Sequence, residues 1–484
     1  MKPTVVLVVL VLAAFIVRLY HVSNPIADWH SFRQADTASV TREYLKHGVD
    51  FLHPTYHDLS NIQSGHDNPQ GYRMVEFPLL NGFSATLISL THQQNNQVLF
   101  ERFIAIVFSL VGLVSIYGLG SQLSGKRVGL FAAALFAFMP YSVYYSRTIL
   151  PDGPFLAAIT FSLWMFALYA EKKSWAAYLL SLIGFIAASL FKPYAVFFYP
   201  LFPAIMLYKQ GLRGFKDWRL YIWPILSIIP LYLWRHWILQ FPSGIAASDW
   251  LLNKGNIRYS GAFFHWIFEV RISTLILGIG MVVPFVLGLV KRGKDQLIYL
   301  LWGICTLAYL WIFAGGNVQH DYYQIVILPF LFLVTARGLS SFFELPPKFM
   351  GKWVATLLIA VLFVFSFSVS WFYIRGYFNI NHPEIVEAGK EVDKILPANA
   401  KVIAPYEGDT SFLFATNRTG WPLGVFIDKY IADGAQYYVS VNFDDEANAL
   451  MRKYVVMEKT KDFVIIDLQR PIAPTPKTAA QSQK

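Results

Sequence analysis

Short polar segments that combine acidic and basic side chains interrupt the long apolar runs of this sequence. The first holds Arg33 and Asp36, and a later one holds Arg147 and Asp152. A positioned carboxylate can accept the proton of a hydroxyl group. Arginine, lysine and histidine can neutralise a bound phosphate. The residue types therefore suit proton transfer beside a bound anion.

Three further polar positions lie at the ends of apolar runs. Glu76 opens a Glu-Phe-Pro segment, Lys192 stands directly before a proline, and His320 opens a His-Asp-Tyr-Tyr segment. Lys192 and His320 are candidate partners for an anion.

Each of these positions also has a purely structural interpretation. Asp36 and Asp152 can each cap the start of a helix, which is a common use of aspartate. Lys192 can extend its amine from the end of a membrane helix toward water. Tyr322 and Tyr323 can belong to the aromatic belt at a membrane interface. The sequence alone leaves both interpretations open.

The elements that must position these residues are membrane helices. The chain has 484 residues, of which 55% are hydrophobic and 14% charged, and its mean hydropathy is +0.44. Too few polar side chains exist to cover a soluble globule of this size. The runs predict an α-helical polytopic membrane protein with about eleven spans.

The distribution of charge predicts the orientation. The net charge is +10, and Lys and Arg cluster in short connections at every second boundary: 125–127, 171–173, 209–216, 291–294 and 348–352. This pattern is typical of cytoplasmic loops rather than of a nucleic-acid partner. It predicts a cytoplasmic N-terminus and places all the candidate residues outside. Residues 77–90 fit this map as a short helix at the outer interface.

The composition divides the chain into parts. We expect a transmembrane domain over 1–375 with a first outer loop at 23–100, then an α/β domain outside the membrane over 376–469. The second part shows a helical pattern over 383–395 and strand-like runs near 401–404, 437–441 and 463–467. Residues 470–484 have the composition of a disordered tail. Cys305 is a single cysteine, so no disulfide forms within the chain.

The order of the polar motifs resembles the GT-C-fold glycosyltransferases, the family of the protein O-mannosyltransferases and the bacterial lipid A aminoarabinose transferases. In that family the first outer loop carries an acidic motif, a proline and a Glu-Lys-Pro-like motif, matched here by Asp36, Pro54 and Glu76. A second outer loop carries an arginine followed by an acid, matched by Arg147 and Asp152. The chain departs from the pattern where Thr37 replaces a second carboxylate and Phe77 replaces a lysine.

The resemblance implies transfer of a sugar from a polyprenyl-phosphate donor to a hydroxyl group, with inversion, on the outer face of a prokaryotic plasma membrane. It makes Asp36 the base and Asp152 its helper. It assigns the donor phosphate to basic and aromatic residues: Arg33, Arg147, Lys192, His320, Tyr322 and Tyr323. Some relatives bind a divalent metal near the counterpart of Glu76, which makes Glu76 a candidate for a metal site or an acceptor site. His236, His265 or His320 would be the second metal ligand here. The acceptor is a lipid, a glycan or a protein.

The main alternative is a multi-spanning transporter or lipid flippase. Transporters usually show repeated halves and charged or broken helices at mid-membrane. Here the unusual residues gather in the outer loops. The sequence has no P-loop and no dinucleotide-binding fingerprint, so we expect no nucleotide cofactor.

Overall fold

The computed structural model describes residues 2–346 and 348–472. Its first part is built of helices: α1 (Pro3–Arg18), α2 (Ser31–His47), α3 (Leu79–Leu90), α4 (Gln97–Ser124), α5 (Lys126–Phe138), α6 (Pro140–Tyr145), α7 (Asp152–Lys172), α8 (Trp175–Phe191), α9 (Leu201–Gln210), α10 (Arg219–Trp237), α11 (Asp249–Leu252), α12 (Gly261–Phe264), α13 (Val282–Val290), α14 (Gln296–Ile312), α15 (Ala314–Gln319), α16 (Leu328–Ser341) and α17 (Lys352–Ile374). A π-helix, His265–Ile276, follows α12.

Five helical segments among the described residues are long and apolar enough to cross a membrane: Gln94–Ser124, Asp152–Lys172, Arg219–Gln240, Asp321–Ser341 and Lys352–Ile395. The helices α1, α3, α8 and α14 are also apolar but shorter. The chain is therefore an integral membrane protein. The predicted helical fold is confirmed, whereas the predicted number of about eleven spans is not.

Several apolar runs that look continuous in the sequence are broken in the structure. The run around Phe136 divides into α5 and α6 at Pro140, whose ring nitrogen cannot donate a helical hydrogen bond. Another run breaks into a 3₁₀ helix, Pro193–Phe198, and the ten-residue α9. Hydropathy counts such a run as one span because it does not detect the break.

Helix α3 has the short form predicted for residues 77–90. It contains 12 residues, which corresponds to about 18 Å of helix against a hydrocarbon core of about 30 Å. It packs against α2 and α4.

Two glycines allow α13 and α16 to approach closely. A Cβ atom at Gly288 would lie 1.9 Å from the carbonyl oxygen of Val334, and one at Gly338 would lie 1.8 Å from that of Pro284. Small residues of this kind let membrane helices pack backbone against backbone. The contact holds α13 against α16, the helix that directly follows the segment Asp321–Ile327.

The C-terminal part is a small α/β unit. Its helices are α18 (Pro383–Ile395), α19 (Ser411–Ala415), α20 (Ile427–Ala432) and α21 (Asp445–Lys453), and its strands are β1 (Lys401–Ile403), β2 (Thr419–Trp421), β3 (Tyr437–Ser440), β4 (Tyr454–Lys459) and β5 (Val464–Pro471). The sheet order is β2-β1-β3-β5-β4. Strands β1, β2 and β3 are parallel, and β5 is antiparallel to both β3 and β4.

The sequence predicts α18, β1, β3 and β5 correctly but misses β2 and β4. The predicted tail begins too early, because Arg470 and Pro471 belong to β5. Residues 473–484 of that tail lie outside the described residues.

The loop before α3, which the sequence predicts to be the first outer loop, is hydrogen-bonded to the edge of this sheet. Asp58 forms a parallel bridge with Gly420 of β2. The amide of Gly420 donates to the carbonyl of His57 at 2.9 Å, and the amide of Leu59 donates to the carbonyl of Gly420 at 2.8 Å. The C-terminal unit is thus attached to the loop that carries the predicted site.

Candidate active site

Helix α2 presents Arg33 and Asp36 on one side, because residues three apart in a helix lie on the same face. The helix begins at Ser31, well before Asp36, so the aspartate is inside it and caps nothing. The capping interpretation of Asp36 is therefore wrong. Asp36 is only 2% exposed, although it reaches a cavity.

A cavity of about 600 Å³ lies between α2, the first outer loop and the helices that follow. Most of the predicted site residues line it, together with several that were not predicted: Arg33, Asp36, Gln63, Arg73, Glu76, Lys192, Tyr194, Arg235, Trp250, His320, Tyr322 and Tyr323. Four of these side chains, those of Arg33, Arg73, Lys192 and Arg235, are cationic. The cavity therefore combines an excess of positive charge with two carboxylates.

Three donors surround the carboxylate of Asp36. Its Oδ2 lies 2.9 Å from Arg73 Nη2 and 2.9 Å from Gln63 Nε2, and its Oδ1 accepts from Thr410 Oγ1 at 2.7 Å. Burial alone would raise the pKa of Asp36, but Arg73 and Arg33 outweigh it and hold the pKa below its usual range. Asp36 is thus an ionised hydrogen-bond acceptor at neutral pH.

Glu76 pairs with two cations at once. Its Oε1 lies 2.5 Å from Arg33 Nη2 and 2.8 Å from Lys192 Nζ. Burial opposes ionisation, yet the two cations keep the pKa of Glu76 well below its usual range. The glutamate therefore holds the basic side chains in place at the cavity wall.

The described residues include no group of three or more acidic, histidine or cysteine side chains placed to hold a metal. His236 and His265 do not line the cavity, and His265 pairs instead with Glu269 at 2.9 Å. His320, the third candidate ligand, does line the cavity, but Oε1 of Glu76 already pairs with the cations Arg33 and Lys192, whose positive charge opposes a metal ion beside it. The charge around Glu76 therefore does not favour the metal site considered from the sequence.

Lys192 is buried at the end of α8 and does not extend to water. Besides Glu76, it lies 3.6 Å from Asp152 Oδ2. Asp152 is the first residue of α7 but accepts no capping hydrogen bond, and neither of its oxygens has a hydrogen-bond partner among the described residues. Asp152 does not line the cavity. It lies behind Lys192, where its charge stabilises the ammonium group.

Three aromatic rings form one side of the cavity. The His320 ring stacks on Tyr322 at 5.4 Å and on Tyr323 at 6.2 Å between centroids. Both tyrosines are buried, so they do not belong to an interfacial belt. A surface of stacked rings suits the face of a sugar or an isoprenoid chain.

Asp321 lies between His320 and Tyr322 in the sequence but does not line the cavity. Its carboxylate belongs to a separate hydrogen-bond network. His30 Nε2 lies 2.5 Å from its Oδ1, and the hydroxyls of Tyr145 and Tyr377 also donate to it. This network ties the start of α2 to the segment that carries His320.

The structure places Arg147 outside the cavity. Its guanidinium is fully buried, pairs with Asp28 at 2.7 Å and donates to the carbonyl of His21 at 2.9 Å. Arg102 contacts the same aspartate at 3.2 Å. The predicted phosphate-binding role does not fit this position, because Arg147 connects α6 to the segment after α1.

Residues missed by sequence reasoning include Gln63, Arg73, Tyr194, Arg235 and Thr410. Arg73 could have been predicted, because it lies three residues before the candidate Glu76 in the same loop. Arg235 is in the last turn of α10, where an arginine is commonly explained by its favourable interaction with the helix dipole. Thr410 belongs to the C-terminal unit and carries no motif.

Part of the chain matches a known protein family. Residues 78–237 match the model of the dolichyl-phosphate-mannose-protein mannosyltransferase family. That segment is roughly a third of the chain. No curated protein sequence matches the chain.

Solved structures share the fold over nearly the whole chain. ArnT from Cupriavidus metallidurans, bound to undecaprenyl phosphate, is 14% identical with a TM-score of 0.64, over 95% of this chain and 97% of ArnT. The oligosaccharyltransferase AglB from Archaeoglobus fulgidus is 13% identical with a TM-score of 0.59, over 96% and 74%. The arabinofuranosyltransferase AftD from Mycobacteria is 15% identical with a TM-score of 0.60, over 96% and 39%.

The fold is that of the GT-C membrane glycosyltransferases, as the order of the motifs predicts. More particularly, the family match supports a glycosyltransferase that takes its sugar from a lipid-phosphate carrier, and it favours this class over a transporter.

Proposed function

We propose that this protein transfers a sugar from a polyprenyl-phosphate donor to a hydroxyl acceptor on the outer face of a prokaryotic plasma membrane. One observation carries the proposal: the ionised Asp36 and the cations Arg33, Lys192 and Arg235 face one cavity of about 600 Å³. A carboxylate for the acceptor and cations for a leaving phosphate are the two requirements of this reaction.

The cations serve the donor phosphate. Arg33 and Lys192 are already oriented by Glu76, so a phosphate that enters beside the glutamate can accept hydrogen bonds from both. Arg235 supplies further positive charge to the same cavity. ArnT, which shares the fold, has been solved with undecaprenyl phosphate, and AglB with a dolichol-phosphate and an inhibitory peptide.

The reaction is a single displacement. The acceptor oxygen forms a bond to the anomeric carbon while the bond from that carbon to the phosphate oxygen breaks. The electron pair leaves with the phosphate, whose charge the cations stabilise. The acceptor proton passes to Asp36, and attack opposite the leaving group inverts the configuration.

The contacts among the Lys and Arg clusters support the orientation. Lys209 pairs with Glu171 at 2.8 Å, and Lys173 pairs with Asp217 at 2.6 Å. Loops that are far apart in the sequence thus meet at one end of the bundle, as expected of a cytoplasmic face. The α/β unit, which extends through β5 to Pro471, contacts the loop before α3 and is therefore assigned to the outside.

The test is transfer by the purified, reconstituted protein from a panel of undecaprenyl-phosphate sugars to the host's envelope glycolipids, glycans and proteins. We expect Asp36→Asn to lower the rate at least a hundredfold, whereas Asp67→Asn, an exposed carboxylate paired with Lys429, leaves it unchanged. Normal transfer by a folded Asp36→Asn variant would exclude Asp36 as the base.

A further inference from the structure

A threonine of the C-terminal unit reaches the proposed base. Thr410 Oγ1 lies 2.7 Å from Asp36 Oδ1 and 3.3 Å from the carbonyl oxygen of Phe32. A hydroxyl has one proton to donate, and the shorter contact to a charged oxygen takes it. Thr410 is 2% exposed, so it acts from behind the cavity wall.

The structure holds this threonine against α2 through contacts on both sides. His57 Nε2 lies 3.2 Å from the Thr410 carbonyl oxygen. Burial lowers the pKa of His57 to about 3, so the ring is neutral and donates this bond. Arg42 of α2 donates to the carbonyl of Phe414 at 2.9 Å and stacks on its ring at 3.6 Å. Thr410 therefore has a fixed position relative to Asp36.

We propose that Thr410 is a positioning residue that orients the Asp36 carboxylate for the acceptor, so that the C-terminal α/β unit completes the active site. The inference rests on the proposed function. It is carried by the distribution of donors: Arg73 and Gln63 both bind Oδ2, whereas Oδ1 accepts one hydrogen bond from the described residues, that of Thr410. Each carboxylate oxygen has two lone pairs, so the free lone pair lies on Oδ1, which receives the acceptor proton.

The experiment compares Thr410→Val, which removes the hydroxyl at nearly constant volume, with Thr410→Ser, which keeps it. Thr416→Val is the matched control, because Thr416 is equally buried beyond the end of α19 but donates to Leu413. We expect Thr410→Val to lower kcat about tenfold with little change in the donor KM. Thr410→Ser restores the rate, and Thr410→Val has no further effect in an Asp36→Asn background.

A titration without substrate separates this inference from the proposed function. Dicyclohexylcarbodiimide labels protonated carboxyl groups, and mass spectrometry locates the label on Asp36. Loss of a donor to the carboxylate raises its pKa, so half-maximal labelling should move up by about one pH unit in Thr410→Val alone.

The outcomes are distinct. If the wild-type protein transfers no sugar, the proposed function is wrong, but the labelling titration of Asp36 still tests the role of Thr410. An unchanged labelling midpoint in folded Thr410→Val, or a loss of activity that Thr410→Ser does not restore, overturns the positioning role.

Discussion

At the scale of single residues, charge balance decides what the cavity can bind. Asp36 is buried and Glu76 is partly buried, and both remain ionised because each has cationic partners. Buried charges of this kind are stable only in groups. A change at one member therefore alters the pKa or the ligand affinity of its neighbours.

Removal of Glu76 should strengthen phosphate binding. In Glu76→Gln the cations Arg33 and Lys192 lose the anion they share. Undecaprenyl phosphate should then inhibit transfer at a several-fold lower concentration, although less precise orientation should reduce kcat. Glu269→Gln, an exposed carboxylate outside the cavity, is the control. An inhibition constant that stays the same or rises would contradict this explanation.

The acid limit of activity should depend on Arg73. The pKa of Asp36 is depressed, so its ionised form is present above that pKa and is lost as the pH falls through it. Arg73→Gln removes a cation 2.9 Å from Oδ2, which should shift the acid limb of kcat/KM to higher pH by about one unit. Arg73→Lys should shift it less. A pH profile identical to wild type would show that Asp36 does not govern that limb.

At the scale of elements, close packing and edge pairing position the site. Helices α13 and α16 meet at Gly288 and Gly338, and the first outer loop pairs with β2 through Asp58 and Gly420. Glycines make the first contact and backbone groups make the second, so neither contact produces a pattern of hydrophobic residues. The periodicity of hydrophobic residues in the sequence therefore predicts neither of them.

Overpacking the glycine contact should destabilise the bundle. In Gly338→Ala the new methyl group would meet the carbonyl of Pro284 at 1.8 Å, so the helices must separate. We expect a loss of about 1–3 kcal/mol, measured as a lower Tm in detergent. Gly351→Ala is the control, because a Cβ there has no neighbour within 4 Å. Equal Tm values for the two variants would contradict the close crossing.

The folded state should lose stability as the pH rises, because the carboxyl group of Asp58 is buried in the loop beside the sheet edge. Burial raises the pKa of Asp58 to about 6. Because this folded value exceeds that of an unfolded aspartate, the stabilising contribution is present below about pH 4 and is lost as the pH rises through 6. Asp58→Asn should therefore raise the Tm at pH 8, by the equivalent of about 3 kcal/mol, and leave it nearly unchanged at pH 4. A Tm difference that is independent of pH would refute the assignment.

At the scale of the whole molecule, the sequence predicts the membrane character, the fold class and many of the residues that line the cavity. Arg33, Asp36, Glu76 and Lys192 are recognisable because polar residues are rare between apolar runs. The predicted role of Arg147 is wrong because a sequence motif does not show in which direction a side chain points. The roles of other residues depend on contacts made far along the chain, which local patterns do not encode.

The orientation is testable by labelling. In a Cys305→Ser background, Lys461→Cys places a thiol on the α/β unit and Lys173→Cys places one beside Asp217 at the opposite end. A membrane-impermeant maleimide should label intact cells only at position 461, and both positions after lysis. Labelling of position 173 in intact cells would reverse the proposed orientation.

The bridge between Asp58 and Gly420 has a consequence for biosynthesis. It joins a loop that precedes α3 to a strand that is translated after α17, and Thr410 reaches Asp36 from the residues just before that strand. While the ribosome is still producing the helices α1 to α17, the proposed base lacks one of its donors. The full set of donors is therefore assembled only after all of these helices have been synthesised, so a chain that is still being inserted should transfer the lipid-linked sugar more slowly than the folded protein.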